Sequence, residues 1–256
     1  MSGLMPALFI GHGSPMQAIE PTRYTAAWRQ LADALPRPQA ILCISAHWYV
    51  PDTAVTAGRA PRTIHDFYGF PPALYQCQYP APGDPALAQQ VQQLLQPQPV
   101  GLASGWGLDH GSWSVLRYMY PEATLPVLQL SVNATLPPAV HYELGRRLAP
   151  LRQQGVLVLG SGDVVHNLRR MQREGGAPPV WAERFNDFVR SAIVAGDHAA
   201  LIDYATHTDA ALAVPTPEHY LPLLYVLGTR QEAERATVPV DGIELGTVSM
   251  LCVQLS

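Results

Sequence analysis

The chain has 256 residues, 48% hydrophobic and only 14% charged, with a formal net charge of −4. That length and apolar content predict a single domain over residues 1–256 with a sizeable core. With no basic excess and no Lys/Arg run, nucleic acid and anionic membrane are unfavoured partners, and no stretch of about 18 apolar residues offers a spanning helix.

Three widely separated cysteines, Cys43, Cys77 and Cys252, and the lack of a leader-like N-terminus fit a soluble cytoplasmic protein. The 25 prolines are scattered among apolar segments and predict rigid loops. The low charge content is compatible with self-association, and the oligomeric state stays open.

The first strand candidate is Ala7 to Ile10, followed by Gly11-His12-Gly13-Ser14-Pro15. Glycines on both sides of His12 permit a sharp turn and a close approach to a ligand. Tyr24 to Ala34 has helical spacing, with Trp28 and Leu31 on one face. Ala40 to Ser45 is a second strand, again with a histidine at its exit, in Ser45-Ala46-His47-Trp48-Tyr49. Strand, helix and strand form a βαβ unit with a right-handed crossover.

Residues 51–83 read as loop and hold the aromatic cluster Ile64 to Pro71. Asp84 caps a helix to Leu95 with Pro85 at its first position. A short run at Val100 to Ala103 precedes the turn Gly105 to Gly111, and Trp113 to Tyr120 reads as a short helix. Pro126 to Val132 is a third strand, Pro138 to Gln153 an amphipathic helix, and Gly155 to Gly162 the strongest strand. Helices follow at Val180 to Ala195 and Ala199 to Tyr204, another opens at Pro217 to Pro222, and Gly246 to Leu255 is a final strand. Alternating strands and helices predict an α/β fold with a central, mostly parallel sheet flanked by helices. Ligands of such sheets bind beyond the carboxyl ends of the strands.

Five of the nine histidines, His12, His47, His110, His166 and His219, lie at strand exits, in glycine turns or at a helix start. Parallel strands gather His12, His47 and His166 on one edge, and imidazole suits Zn, Fe, Ni and Cu. His141 and His198 read as solvated helix residues; His65 sits among aromatic neighbours. No HExxH, P-loop or Gly-x-Ser-x-Gly motif occurs, so the helix-borne zincin, nucleotide and serine hydrolase motifs are missing. Glu218-His219 leaves two possibilities: Glu218 completes a two-His, one-carboxylate set, or His219 ligates and Glu218 caps the helix.

Six motifs in order resemble those of class III extradiol ring-cleaving dioxygenases, in the 4,5-DOPA dioxygenase branch. They are Gly11 to Pro15, Ser45 to Trp48, Asp66 to Pro71, Gly107 to Gly111, Gly162 to Asn167 and Pro217 to Pro222. The resemblance implies a mononuclear site, with Fe(II) in the active enzyme and Zn(II) as a frequent replacement. It matches His12, His47 and His219 to the metal ligands. It matches His166 to an acid/base histidine that also comes within reach of the metal, and His110 to a histidine that bonds substrate or oxygen. The implied substrates are a small catechol and O2, with Trp48, Tyr68 and Phe70 available to stack on the ring. A zinc-dependent hydrolase on the same scaffold is the alternative, and a non-catalytic metal carrier a third reading.

Overall fold

Three of the apolar runs become neighbouring strands at the centre of one mixed sheet. The structure is a computed structural model and describes residues 3–172 and 176–256; residues 1, 2 and 173–175 of the expected domain lie outside that description. In chain order the elements are β1 (Ala7–Gly11), α1 (Arg23–Ala34), β2 (Ala40–Val50), β3 (Ala54–Thr56), α2 (Pro72–Tyr75), α3 (Pro85–Leu94), β4 (Gly101–Ala103), α4 (His110–Met119) and β5 (Val127–Asn133). Next come α5 (Pro138–Gln153), β6 (Val156–Gly162), α6 (Val180–Ala195), α7 (His198–Ile202), α8 (Ala210–Ala213) and α9 (Leu221–Gly228). The chain closes with β7 (Ala236–Val240), β8 (Ile243–Glu244), β9 (Val248–Ser249) and β10 (Cys252–Leu255).

Strands order β4-β3-β5-β2-β6-β1-β10-β7 across the sheet, and β8 pairs with β9 in a separate hairpin. The central strands β5, β2, β6 and β1 run parallel, whereas β10 and β7 add in antiparallel sense. β1 and β2 of the expected βαβ unit are parallel, with β6 inserted between them. Every residue of β6 is buried, which suits a strand covered on both faces.

Alternation along the strands divides the core between the two faces. Phe9, Leu42, Ile44 and Val158 face one cluster, with α5, α6 and the wholly buried α9. Leu8, Ile10, Ile41 and Leu159 face the other, with Trp28 of α1 and Trp113 of α4.

Some elements differ from expectation. The helix expected from Trp113 starts at His110, because the Asp109 carboxylate accepts from Ser112 N and caps it one turn earlier. Residues 51–83, read as loop, contain β3 and α2. The missed β7 is an edge strand that tolerates Pro239. The final strand expected over Gly246 to Leu255 breaks into β9 and β10.

His141, expected to be solvated, is buried. It meets the Tyr225 hydroxyl at 3.1 Å and the Leu136 carbonyl at 3.2 Å, because its face of α5 packs on α9. His198 is half-buried rather than solvated and meets the Tyr142 hydroxyl at 2.8 Å. No described helix is long and apolar enough to cross a membrane.

Candidate metal centre

The site lies where β1, β2 and β6 end. Gly13 adopts a φ of 64°, and its N–H donates to Asp163 Oδ1 at 3.0 Å, tying the exit of β1 to that of β6. A Cβ on Gly162 would collide with the carbonyl of His219, so glycine there lets the His219 turn rest on β6. His47 is carried by an irregular stretch of β2. Ile44 pairs with Leu130 of β5, but the next partners are Tyr49 and Val132, so β2 holds extra residues between them. Such bulges re-aim side chains.

The rings of His12, His47 and His219 surround one point. Their centroids are 5.0 Å apart for His12 and His47, 5.3 Å for His12 and His219, and 5.0 Å for His47 and His219. His110 approaches His47 at 3.9 Å, and His166 stacks on His219 at 3.5 Å. A cavity of about 560 Å³ opens from the cluster, and all five of these histidines line it.

Four of the five rings, those of His12, His47, His110 and His219, are oriented by a partner on the far side. Ser161 Oγ donates to the Gly111 carbonyl, so His12 Nδ1 is the donor in its 2.9 Å bond to Ser161 Oγ. Asp66 Oδ2 lies 3.2 Å from His47 Nδ1 and 3.0 Å from His110 Nδ1, while Asp66 Oδ1 accepts from His110 N. Glu218 Oε1 lies 3.2 Å from His219 Nδ1. These contacts leave Nε2 of His12, His47 and His219 free to face the centre, the usual arrangement behind imidazole ligands.

Burial sets the charge states. It pushes His12 and His219 well below the ordinary imidazole value, and neighbouring histidines push them further. Burial and the field of His47 also lower His110 to about 4 and His166 to about 3. Burial raises Asp163 to about 7 and Asp109 to about 6. Burial also works against charge on Asp66, but hydrogen bonds from His110 and His47 hold its carboxyl well below the usual range. Burial likewise opposes a charged His47, yet Asp66 and Asp109 prevail and raise it.

These donors fit a divalent cation. With Nδ1–H spent on Ser161 and Asp66, two neutral rings would set lone pairs 3.1 Å apart, between Nε2 of His12 and Nε2 of His47. A proton on His47 would satisfy that pair alone. Nε2 of His219 and Oδ2 of Asp163 are also buried without a hydrogen-bond partner. The ligand atoms of His12, Asp163 and His219 lie within 4.8 Å of one another. Buried nitrogen and carboxylate donors converging this closely answer to a metal ion better than to a proton.

Of the aromatic residues expected at the substrate, Tyr68 and Phe70 line the cavity and Trp48 does not. Trp48 is buried against Trp106, with ring centroids 5.2 Å apart and planes 12° from parallel. Trp48 follows His47 within the irregular stretch of β2 and packs on Trp106 instead of entering the cavity. The helix start expected at Glu218-His219 is a turn, since α9 begins at Leu221, and both side chains reach the cluster. Asp66, Asp109, Ser161 and Asp163 were not singled out from the sequence. Their signal was weak: a single carboxylate or hydroxyl beside a glycine or an aromatic residue.

The chain matches the family model described as the catalytic LigB subunit of aromatic ring-opening dioxygenase over residues 6–250. It is 52% identical to 4,5-DOPA dioxygenase extradiol of Escherichia coli K12, over 98% of this chain and 94% of that protein. It is 41% identical to the Beta vulgaris protein of the same name, over 94% of this chain and 92% of that protein. A crystal structure of an uncharacterized Escherichia coli K12 protein superposes with a TM-score of 0.87 at 47% identity, covering 98% of this chain and all of that one (100%).

Proposed function

Because this chain belongs to the LigB family of aromatic ring-opening dioxygenases, we propose that it opens the ring of a small catechol with O2, beside rather than between the hydroxyls, at an Fe(II) ion held by His12, His47 and His219. The observation that carries this reading is the convergence of three Nε2 atoms whose rings are each fixed from behind by Ser161, Asp66 or Glu218. The names of the Escherichia coli and Beta vulgaris relatives support a catechol such as DOPA.

When bound, Fe(II) supplies a redox-active Lewis acid at which catechol and O2 meet. His166, kept neutral by burial, offers a ring nitrogen to a catechol hydroxyl proton and returns it later as an acid. His110 donates Nδ1–H to Asp66 and so presents its other nitrogen to substrate or oxygen. Phe70 and Tyr68 supply apolar faces for the aromatic ring. Glu218 positions His219 rather than ligating, because its Oε1 already accepts from His219 and from the Thr216 hydroxyl.

The test is metal-specific product formation. Metal-free protein is loaded without oxygen with Fe(II) or Zn(II), mixed with several catechols including L-DOPA, and then exposed to air. A yellow ring-opened product from the iron-loaded protein alone is expected. Catechols left intact by iron-loaded protein, with ester or amide cleavage by the zinc form, would replace this reading with a zinc hydrolase.

A further inference from the structure

A second cavity, of about 240 Å³, borders the first, and His166 and Leu168 line both. His166 stacks on His219 at 3.5 Å, so the second cavity begins one ring beyond the histidine cluster. All 16 basic residues of the chain are arginines, and among the described residues none of them lines the first cavity. Arg169 lines the second, together with the carboxylate of Glu218.

Both charges are carried by well-anchored backbone and have polar atoms to spare. Arg169 lies in a short turn, Leu168–Arg170, and the chain entering it is pinned. His166 N donates to Ala213 O at 2.8 Å, Asn167 N to Thr247 O at 3.1 Å and Asn167 Nδ2 to Leu212 O at 2.7 Å. Among the described residues, arginine ion pairs involve Arg146, Arg147, Arg152, Arg184 and Arg190, and not Arg169. Glu218 spends Oε1 on the Thr216 hydroxyl and on His219, and its Oε2 has no hydrogen-bond partner among the described residues. Asn167 also lines this cavity, and its Oδ1 is buried without a donor among the described residues. Polar groups left open around a cavity point to a polar guest.

A guest that answers both charges carries an anion and a cation close together. The α-amino acid head of a catechol such as DOPA is one. Its carboxylate suits the planar fork of a guanidinium, and its ammonium suits a carboxylate oxygen. Leu168, on the border between the two cavities, offers an apolar side chain to the methylene that joins ring and head.

We propose that Arg169 and Glu218 form a subsite for the α-amino acid head of the substrate, Arg169 binding its carboxylate and Glu218 Oε2 its ammonium, an inference that rests on the ring-cleavage reading above. Three ligands test it: L-DOPA, dopamine, which lacks the carboxylate, and 4-ethylcatechol, which lacks both charges. Each is titrated by calorimetry into zinc-loaded protein without oxygen, so binding is read whether or not a ring opens. L-DOPA is expected to bind roughly tenfold tighter than dopamine, the worth of one charge-assisted contact. Dopamine is expected to bind about threefold tighter than 4-ethylcatechol. Arg169→Met is expected to erase the preference for L-DOPA over dopamine without weakening dopamine against 4-ethylcatechol, and Arg169→Lys to keep part of it. Glu218→Gln keeps an oxygen for His219 and Thr216; compared at full zinc loading, it is expected to erase the preference for dopamine over 4-ethylcatechol. L-DOPA that binds no tighter than dopamine, dopamine that binds no tighter than 4-ethylcatechol, or preferences that survive both substitutions overturn the proposal. Exposing the iron-loaded protein to air with L-DOPA separates the two readings. Preferences kept without ring opening remove ring cleavage and leave the subsite; ring opening without the preferences does the reverse.

Discussion

The imidazole of His166 stacks on that of His219, with centroids 3.5 Å apart and planes 13° from parallel. His219 is buried at the cluster while His166 is half-buried on the cavity wall, and on the proposed reading His219 would hold the metal while His166 would react. His166→Ala is therefore expected to keep one equivalent of metal and lose turnover by about 10²–10⁴-fold, the usual range for a missing acid/base group. Metal analysis beside steady-state rates checks this. Near-normal turnover would remove His166 from proton transfer.

Asp66 sets two rings at once, through His47 and His110. Asp66→Asn keeps the shape but loses the charge and one acceptor. Metal affinity is expected to fall about 10–100-fold, as for other partners behind metal-binding imidazoles. Competition against a chelator of known affinity measures it, and unchanged affinity would show that the rings are fixed without the carboxylate.

The buried Arg152 binds Glu234 through both terminal guanidinium nitrogens and also donates to the carbonyls of Met5 and Thr229. It ties the segment entering β1 to the ends of α5 and α9. Arg152→Met leaves the Glu234 carboxylate buried without its cation and is expected to cost about 3–5 kcal/mol in urea unfolding. Arg152→Met with Glu234→Leu should recover part of that loss. Equal instability of the single and double variants would argue against an uncompensated charge as the cause.

His141 gives stability a pH dependence away from the metal centre. Burial lowers it from 6.5 to about 4, so the folded chain keeps the ring neutral while the unfolded chain takes up a proton below 6.5. Stability is thus full above 6.5 and falls with pH until about 4, where the folded form protonates as well. Between pH 7 and 5 the wild type should lose about 2 kcal/mol more than His141→Gln in urea unfolding. Parallel losses in the two proteins would contradict this.

What was legible in the sequence is what strands and glycines impose locally. The runs through Ile10, Ile44 and Leu159 are apolar at every position, as buried parallel strands must be, and they bring His12, His47 and His166 to one edge. Effects set by distant partners were not legible. Trp48 stands next to His47, but a bulge defined by β5 and stacking on Trp106 decides its direction. His141 reads as solvated because its helix carries arginines and a glutamate, yet it packs on Tyr225 of a buried helix 84 residues later. The placing of β6 between β1 and β2 is likewise set by pairing between distant parts of the chain.

On the reading proposed above, this site joins O2 to a catechol in an iron-dependent way. An oxygen electrode tests it most directly, with iron-loaded and zinc-loaded protein compared on the same catechol. One O2 consumed per catechol lost, with iron and not with zinc, is the expected result. A fully iron-loaded protein that consumes no O2 with any catechol would contradict it.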